Sequence, residues 1–305
     1  MLNFSDRLID AIKKKNSVLV AGIDTTIENI PDYFIKKFYD NERSEIDNLK
    51  TILFEYNRRI IDAVEENVVG LKFQAAFFEQ YSYHGFEVLH KLCKYAKNKK
   101  LVVIFDGKRN DISSSAKGYS NAYLGETPVF GKKMSFFEFD AITTNPYLGQ
   151  DGIKPFVEDC ERFKKGLFVL VKTSNPSSAD IQDIVVEDKK LYEIVAEKVF
   201  EWGKNCRGRE GYSDIGAVVG ATQPEAGKRI RQILPNSFLL VPGIGVQGGK
   251  VEDLKYFVDS NNMGIIVNSS RDIIYAYKNY VHSDFEKSSY LASKSIKESI
   301  NAAIS

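Results

Sequence analysis

Residues 101–112 carry the sequence LVVIFDGKRNDI, in which an apolar run stops abruptly at a charged segment. The first half, Leu101–Asp106, is nearly continuous in apolar residues and rich in β-branched ones, a pattern typical of a strand buried on both faces. The second half concentrates acidic and basic side chains directly after this strand. The stretch therefore predicts a buried parallel strand that leads into a polar site.

Seven further segments have the same apolar character. They are Val18–Asp24, Val68–Phe73, Phe139–Thr144, Gly166–Val171, Ile215–Gly220, Ser237–Pro242 and Gly264–Ser269. Segments with helical spacing, such as Ser44–Glu66 and Lys189–Cys206, lie between them. Strand–helix units repeated eight times within about 250 residues favour a closed (β/α)8 TIM barrel over an open doubly wound sheet.

The chain has 305 residues, which exceeds what a bare barrel needs. The additional length is expected in an insertion at Pro31–Asn48, in the long connection Asn175–Lys190 and in a C-terminal helix from about Asp284. No low-complexity linker divides the chain, so a single barrel domain over residues 1–305 is predicted. A capping box is predicted at residues 222–225, with Thr222 as the N-cap and Glu225 reaching back.

Composition excludes several classes of function. The chain has 42 Lys and Arg against 41 Asp and Glu, so no global field favours nucleic acid or an anionic membrane as a partner. Three widely spaced cysteines and three histidines form no CxxC or HExxH motif, which argues against disulfides and a metal site. The charged N-terminus is unlike a signal peptide, and no apolar run approaches the ~20 residues that span a bilayer. A soluble, cytoplasmic protein is expected.

In such barrels, chemistry takes place where strands end and βα loops begin. The polar residues at these positions are Asp24, Lys72, Asp106, Lys108, Asp111, Asn145, Thr173–Asn175, Thr222, Gln247 and Arg271. Asp106 and Lys108 are two residues apart and are expected to face the same side if the strand continues through Gly107. Lys72 ends the neighbouring strand, and Asp111 can reach sideways. Each residue alone fits a salt-bridge network, but four charges at one rim favour a functional site, because buried charge is costly.

Two later segments predict ligand contacts. Residues 241–249 read VPGIGVQGG and follow the seventh strand, where glycine backbone N–H groups and Gln247 can face an anion. Arg271 follows the eighth strand and can clamp a phosphate, whereas the glycine-rich turn alone is equally compatible with a tight loop. Residues 172–176, KTSNP, can hydrogen-bond the edge of a flat polar ring or form an ordinary turn. The Asp24 carboxylate can hold a sugar hydroxyl or cap the turn that follows the first strand.

These residues resemble the orotidine 5′-phosphate decarboxylase family over essentially the whole chain. The order of Lys72, DGKRNDI, KTSNP, GATQPE, PGIGVQGG and Arg271 carries the resemblance, and the long insertions are similar to those of its type 2 subfamily. The resemblance implies a carboxy-lyase that converts orotidine 5′-monophosphate to UMP and CO2 in pyrimidine biosynthesis. It also implies that neither a metal nor another cofactor takes part.

The resemblance further implies roles for individual residues. Lys72, Asp106, Lys108 and Asp111 would form an alternating charged tetrad, with Lys108 as the proton donor. In a homodimer, Asp111 and Ile112 would be lent to the neighbouring active site. The residues expected to bind substrate are Asp24 at the ribose, Ser174 and Pro242 at the pyrimidine, Gln247 and Arg271 at the 5′-phosphate, and Ile112 and Ser115 near the tetrad.

Two segments depart from the family pattern. Gly22–Thr25 reads GIDT where the family usually has Gly-Leu-Asp-Pro, and Ser113 and Ser115 stand where the family has Gly and then Thr. Two other functions remain open. One is a magnesium-dependent keto-sugar-phosphate lyase on the same barrel, against which Arg109 and the KTSNP segment argue. The other is a barrel that binds a nucleotide or phosphate without catalysis, which would have no need of two ammonium groups beside two carboxylates.

Overall fold

The computed structural model describes residues 2–245, 248–280 and 284–305. Within them, eight parallel strands close into a barrel with the order β1-β8-β7-β6-β5-β4-β3-β2. The strands are β1 Leu19–Ile23, β2 Gly70–Gln74, β3 Val102–Arg109, β4 Ala141–Thr144, β5 Gly166–Lys172, β6 Ser213–Val219, β7 Ser237–Pro242 and β8 Ile265–Ser269. The predicted (β/α)8 barrel is confirmed, and each strand overlaps the apolar run that predicted it.

Helices surround this barrel. They are α1 Phe4–Lys15, α2 Asp32–Phe38, α3 Glu45–Val64, α4 Ala76–Glu79, α5 Ser82–Asn98, α6 Ser113–Tyr123, α7 Gln150–Phe163, α8 Ala179–Gln182, α9 Leu191–Trp202, α10 Pro224–Ile233, α11 Arg271–Ile274 and α12 Phe285–Ile304. The strands are almost entirely buried, as expected for a parallel sheet with an outer layer of helices and a filled interior.

Side-chain caps explain where two long helices begin. Ser44 accepts a hydrogen bond from the backbone N–H of Asp47 and starts α3, while Asp284 accepts from the N–H of Lys287 and starts α12. The capping box predicted at Thr222 is wrong. Helix α10 begins at Pro224 after Gln223, and the Thr222 hydroxyl instead donates to the carbonyl oxygen of Ser174, 3.0 Å away. Thr222 therefore joins two βα loops rather than capping a helix.

The segments beyond the bare barrel pack against it. Helix α2 lies in the Pro31–Asn48 insertion, and its Phe34 ring meets Tyr56 of α3 and Phe285 of α12 edge-on. The Asn175–Lys190 connection holds a 3-10 turn, α8 and a hairpin of Val185–Val186 with Lys189–Lys190. A second hairpin pairs Thr127–Val129 with Lys132–Met134.

Helix α1 was not predicted and lies at the amino-terminal end of the barrel. Phe4 packs edge-on against Phe168 of β5, with ring centroids 5.9 Å apart, and Asp214 of β6 accepts from both the backbone N–H and the hydroxyl of Ser5. A side chain at Gly166 would collide with the Phe4 ring. In the described ranges, none of these helices has the length and apolar character needed to cross a bilayer.

Candidate active site

A cavity of about 350 Å³ opens at the carboxyl ends of the barrel strands. Its lining residues come from the ends of all eight strands or from the loops that follow them. They are Asp24, Lys72, Gln74, Asp106, Lys108, Thr143, Leu170, Thr173, Ser174, Asn175, Val218, Leu240, Pro242, Asn268 and Ser270. This is the end of the barrel at which such folds carry their chemistry, and the volume is within the range of small-molecule sites.

The Asp106 carboxylate lies at the centre of the charged cluster. One oxygen, Oδ2, accepts from Lys72 Nζ at 2.7 Å and from Gln74 Nε2 at 3.2 Å. The other, Oδ1, accepts from Lys108 Nζ at 2.7 Å and from the Thr143 hydroxyl at 2.8 Å. Two ammonium groups therefore flank one carboxylate whose hydrogen-bonding positions are filled by donors from three neighbouring strands.

The electrostatics of this cluster keep its buried pair ionised. Burial of Lys72 opposes its charge, but attraction to Asp106 and Asp24 outweighs this effect and raises the pKa of Lys72 above its usual value of 10.5. Burial likewise opposes the charge of Asp106, but Lys72 and Lys108 hold its pKa well below the usual 3.8. Both groups are consequently charged throughout the pH range between those two values.

An irregular end of β3 aims Lys108 into the cavity. The pairing register with β4 shifts between Phe105 and Arg109, and the Lys108 backbone lies in the left-handed region with φ +47°. The Thr143 hydroxyl accepts from the Lys108 N–H at 3.0 Å. A Cβ at Gly107 would fall 2.3 Å from the Phe105 ring, so only glycine fits at this position. Such a bulge redirects a side chain beside a site.

Two buried oxygens in the cavity have no hydrogen-bond partner among the described residues. They are Asp24 Oδ1, after β1, and Asn268 Oδ1, near the end of β8. An unsatisfied buried oxygen is costly, so such atoms commonly mark places where a ligand donates. The departure at Thr25 has a structural role: its hydroxyl donates to Asn57 Oδ1 of α3 at 2.5 Å and anchors the first loop.

The KTSNP turn is held from several sides. Gln182 of α8 accepts from the Thr173 N–H through its side-chain oxygen and donates to the Thr173 hydroxyl, both at 2.9 Å. The fully buried Lys172 forms an ion pair with Asp183 at 2.9 Å. Ser174 lines the cavity, and its carbonyl oxygen accepts from Thr222. The loop is thus fixed to the end of β5.

Asp111, Ile112 and Ser115 lie outside this cavity in their own chain. Asp111 Oδ1 accepts from the neighbouring Ile112 N–H, and within the described residues Asp111 forms no ion pair with a lysine. Ile112 is half exposed and Ser115 is exposed on the first turn of α6. The structure therefore brings together three of the four charged residues that were predicted to form the tetrad.

The predicted phosphate site is only partly described. Gln247 lies outside the described residues. Arg271 is the first residue of α11 and is exposed beyond the cavity lining. The expectation that the glycine N–H groups of this loop face an anion is wrong for Gly245, Gly248 and Gly249, because they donate to carbonyl oxygens of the same loop.

Sequence reasoning overlooked Gln74, Thr143 and Gln182. Gln74 was detectable, because it lies two residues after Lys72 and strand side chains alternate with a period of two. Thr143 depends on the bulge, and no sequence signal indicates Gln182. Arg109 does not face the cavity: it pairs with Glu79, and its guanidinium lies over the Phe105 and Tyr123 rings. In its own chain, Arg109 therefore packs beneath the loop rather than lining the cavity.

The remaining strand-end residues lie elsewhere. Asn145 lines a neighbouring apolar cleft with Tyr147 and Ile181. Across the described ranges, no cluster of three or more His, Cys, Asp or Glu side chains is arranged to hold a metal ion. The three cysteines are buried and unpaired.

A closed (β/α)8 barrel with a buried carboxylate between two ammonium groups at the carboxyl ends of its strands places the chain among barrel proteins whose cavity is built on charged side chains. A sequence model of the "Orotidine 5′-phosphate decarboxylase / HUMPS family" matches residues 19–281. The chain belongs to this family, and it is a carboxy-lyase, as the sequence predicted.

Relatives and solved structures agree with this assignment. An orotidine 5′-phosphate decarboxylase of Caldicellulosiruptor saccharolyticus is 92% identical over 305 residues, covering 100% of both chains. One of Rhodopirellula baltica is 42% identical over 91% of this chain and 90% of its own. The structure of Leishmania donovani OMP decarboxylase superposes with a TM-score of 0.77 at 29% identity, covering 99% of each chain.

Proposed function

We propose that the chain converts orotidine 5′-monophosphate to UMP and CO2 through its own charged side chains. The full-length relatives with over 90% identity carry the name of this activity. The observation that carries the proposal is the Asp106 carboxylate, which holds the Lys72 and Lys108 ammonium groups at 2.7 Å in a cavity of nucleotide-binding size. A protein that only bound a nucleotide would gain little from this costly arrangement.

The reaction breaks the bond between C6 of the pyrimidine and its carboxylate. CO2 leaves, the electron pair remains on C6, and a proton must arrive there. Lys108 is partly exposed to the cavity, so its ammonium can face C6, stabilise the growing negative charge and donate the proton. Solvent then reprotonates the amine. Asp106 holds the Lys108 ammonium in place from one side, so this group does not have to reorient during the reaction.

The other cavity residues divide the substrate between them. The unpartnered Asp24 oxygen is suited to accept from a ribose hydroxyl, and Lys72 beside it can contact both the ribose and the cluster. Ser174 and Pro242 also line the cavity, and they are suited to contact the pyrimidine. Gln247 and Arg271 would hold the 5′-phosphate.

Arg271→Ala is expected to lower kcat/KM for orotidine 5′-monophosphate by at least about tenfold, because a charge-assisted bond to phosphate is worth roughly 1.5–3 kcal/mol. The circular dichroism spectrum and Tm should stay unchanged, since Arg271 is exposed and makes no ion pair among the described residues. Steady-state kinetics would measure the effect, with exposed Lys204→Ala as a matched loss of charge. Wild-type kcat/KM in the Arg271 variant would refute the role.

Gln182 acts as a positioning residue for Ser174 in this scheme. Gln182→Leu should raise KM about tenfold with a smaller effect on kcat, because two hydrogen bonds to Thr173 are lost. Ser177→Ala on the same loop serves as the control and should change neither constant. If Gln182→Leu lowered kcat and Tm together and left KM unchanged, Gln182 would have only a structural role.

The fourth charged residue is proposed to come from a partner in a homodimer. Large apolar side chains are exposed on three consecutive βα connections near Asp111: Ile112, Tyr119, Tyr147, Leu148, Ile181, Ile184, Val185 and Val186. One cleft is lined by both Tyr147 and Ile181, so the second and third of these connections adjoin each other. Exposed apolar side chains grouped in this way are typical of a protein interface. A two-fold pairing through it would place Asp111 near the other cavity.

A mixing experiment tests this sharing. Asp111→Ala and Lys108→Ala should each be inactive, but mixed dimers should regain activity, because one site combines both intact residues. With random reassociation of a two-fold dimer, about a quarter of the sites become intact, so roughly a quarter of wild-type kcat is expected. Failure of dimers, verified as mixed, to regain activity would contradict the sharing of Asp111.

Further parts of the proposal rest on the resemblance and on packing. Membership of the type 2 subfamily and a place in de novo pyrimidine biosynthesis follow from the resemblance, whereas a cytoplasmic location rests on the cysteine pattern and the charged N-terminus. Contacts at both ends of the chain support a single domain over residues 1–305. Helix α1 is hydrogen-bonded to β6, and the Phe285 ring of α12 stacks on the Tyr56 ring of α3, with the ring centroids 4.6 Å apart.

One absorbance experiment tests the activity itself. Purified protein is mixed with orotidine 5′-monophosphate, and the ultraviolet absorbance of the substrate is followed with and without EDTA. We expect the absorbance to fall with turnover and EDTA to have no effect. An absorbance that stays constant while substrate binds would identify a binding barrel, and loss of turnover with EDTA would favour the magnesium-dependent lyase.

A further inference from the structure

A second cavity, of about 550 Å³, lies at the opposite end of the barrel. It is bordered by Asp140 and Lys165, which directly precede β4 and β5, and by the ends of α5 and α7. This location is the amino-terminal face of the strands, remote from the Asp106 cluster. The proposed decarboxylation uses none of its residues.

The lining of this cavity carries an excess of positive charge. Its basic residues are Arg7, Lys97, Arg162, Lys164 and Lys165, and its acidic residues are Glu138 and Asp140. The chain as a whole is nearly neutral at +1, so the excess is a local concentration. Ammonium groups that share a partly buried cavity repel one another unless an anion lies between them.

The buried carboxylate in the cavity is already occupied. Asp140 Oδ1 accepts from Arg7 at 3.1 Å and from Lys97 at 2.9 Å, and Oδ2 accepts from the Val103 N–H at 3.0 Å. Lys165 donates to the Phe139 carbonyl oxygen at 2.6 Å and has no carboxylate within ion-pair distance among the described residues. Burial lowers the pKa of Lys165, and Lys97 and Arg7 lower it further against the pull of Asp140.

Helix capping explains only part of this arrangement. Helix α7 ends at Phe163, and Arg7 donates to the Lys164 carbonyl oxygen at 2.9 Å. A helix C-terminus carries a partial charge of only about half an electron. Arg7 and Lys97 share Asp140, and Arg162 pairs with Glu126 at 3.8 Å, so Lys164 and Lys165 are the basic residues of this lining without an ion pair among the described residues. The lining therefore keeps a net positive charge.

We propose that this cavity binds a phosphate dianion, either free or as part of an organic phosphate, with Lys165, Lys97 and Arg7 as its donors. A dianion between these groups would neutralise the excess charge and give Lys165 an anionic partner in addition to the Phe139 carbonyl oxygen. The apolar part of the lining, with Phe137 and Phe163, is available to the organic portion of such a ligand.

The test measures Tm while phosphate is titrated at constant ionic strength. The parent protein is the full chain with Arg271→Ala, which weakens the other proposed phosphate site. Inorganic phosphate and phenyl phosphate are the two probes. We expect a saturable rise in Tm, with phosphate affinity lowered at least tenfold by Lys165→Met and also by Lys97→Met. Lys154→Met, at an exposed position of α7 outside the cavity lining, is the control and should leave the affinity unchanged.

The outcomes distinguish an organic phosphate from free phosphate as the ligand, and they include results that would refute the proposal. Tighter binding of phenyl phosphate supports an organic phosphate, and equal binding of the two probes supports free phosphate. An increase in Tm that never saturates, or an equal increase in the parent and both lysine variants, overturns the proposal. If Lys165→Met does not fold, Lys97→Met decides the result alone. Because every comparison is made between variants of the second cavity, failure here leaves the decarboxylase proposal untouched.

Discussion

Lys108→Ala is expected to reduce kcat for orotidine 5′-monophosphate by at least about a thousandfold. At about 4 Å and an effective dielectric near 20, one contact between an ammonium and a carbanion is worth roughly 4 kcal/mol. A contact made only in the transition state converts into about three powers of ten in rate. Loss of the proton donor adds to this effect. Single-turnover absorbance measurements would determine the remaining rate.

The fold should survive this substitution. The Lys108 side chain is 42% exposed, and Asp106 keeps Lys72, Gln74 and Thr143 as donors. Affinity for UMP is therefore expected to change far less than kcat. The exposed Lys204→Ala again provides a control outside the cavity. A Lys108→Ala protein within tenfold of the wild-type kcat would show that another group supplies the proton.

Asp106→Asn is expected to lower the free energy of unfolding by about 3–5 kcal/mol at pH 7, because it leaves the buried Lys72 ammonium without its counter-charge. The pKa of Lys72 should then fall, since burial would no longer be opposed by Asp106. Activity should be lost as well, because Lys108 loses its orientation. Urea denaturation would measure the stability.

A double variant isolates the electrostatic cause. Combining Asp106→Asn with Lys72→Met removes the buried charge, so this protein should be more stable than Asp106→Asn alone. If the two substitutions were simply additive, or if Asp106→Asn cost less than about 1 kcal/mol, the ion pair would be no stronger than an exposed one.

The strands could be predicted from sequence because a parallel barrel buries both faces of each strand. Segments such as Ser237–Pro242 are apolar throughout for that reason, and the structure has the same boundaries there. Helix α1 was not predicted, because it lies outside the repeating strand–helix units. Its charged sequence was therefore not distinguished from that of an irregular terminal segment. The capping box at Thr222 was also predicted wrongly. The local sequence fits such a box, but in the structure the Thr222 hydroxyl donates to the distant Ser174 carbonyl oxygen.

Within the site, the sequence predicted the cavity-facing side chains correctly where strand periodicity alone sets the direction in which a side chain points. Lys72 and Asp106 follow from that rule, as Gln74 would have done. The approach of Lys108 to Asp106 also depends on a bulge, a left-handed backbone and the space beside Phe105, which are tertiary features. The hold of Gln182 on the KTSNP turn arises from a loop whose path no periodic pattern encodes.

The central claim is that an ammonium at position 108 protonates the carbanion, and its most direct test is to remove and rebuild that ammonium. Lys108→Cys can be alkylated selectively, because Cys93, Cys160 and Cys206 are buried. Treatment with 2-bromoethylamine restores an ammonium at nearly the length of lysine, whereas iodoacetamide adds a neutral amide. The account predicts that kcat is nearly abolished in Lys108→Cys, returns with the aminoethyl group and stays low with the amide. Equal kcat in the two alkylated proteins, or near wild-type kcat in unmodified Lys108→Cys, would contradict it.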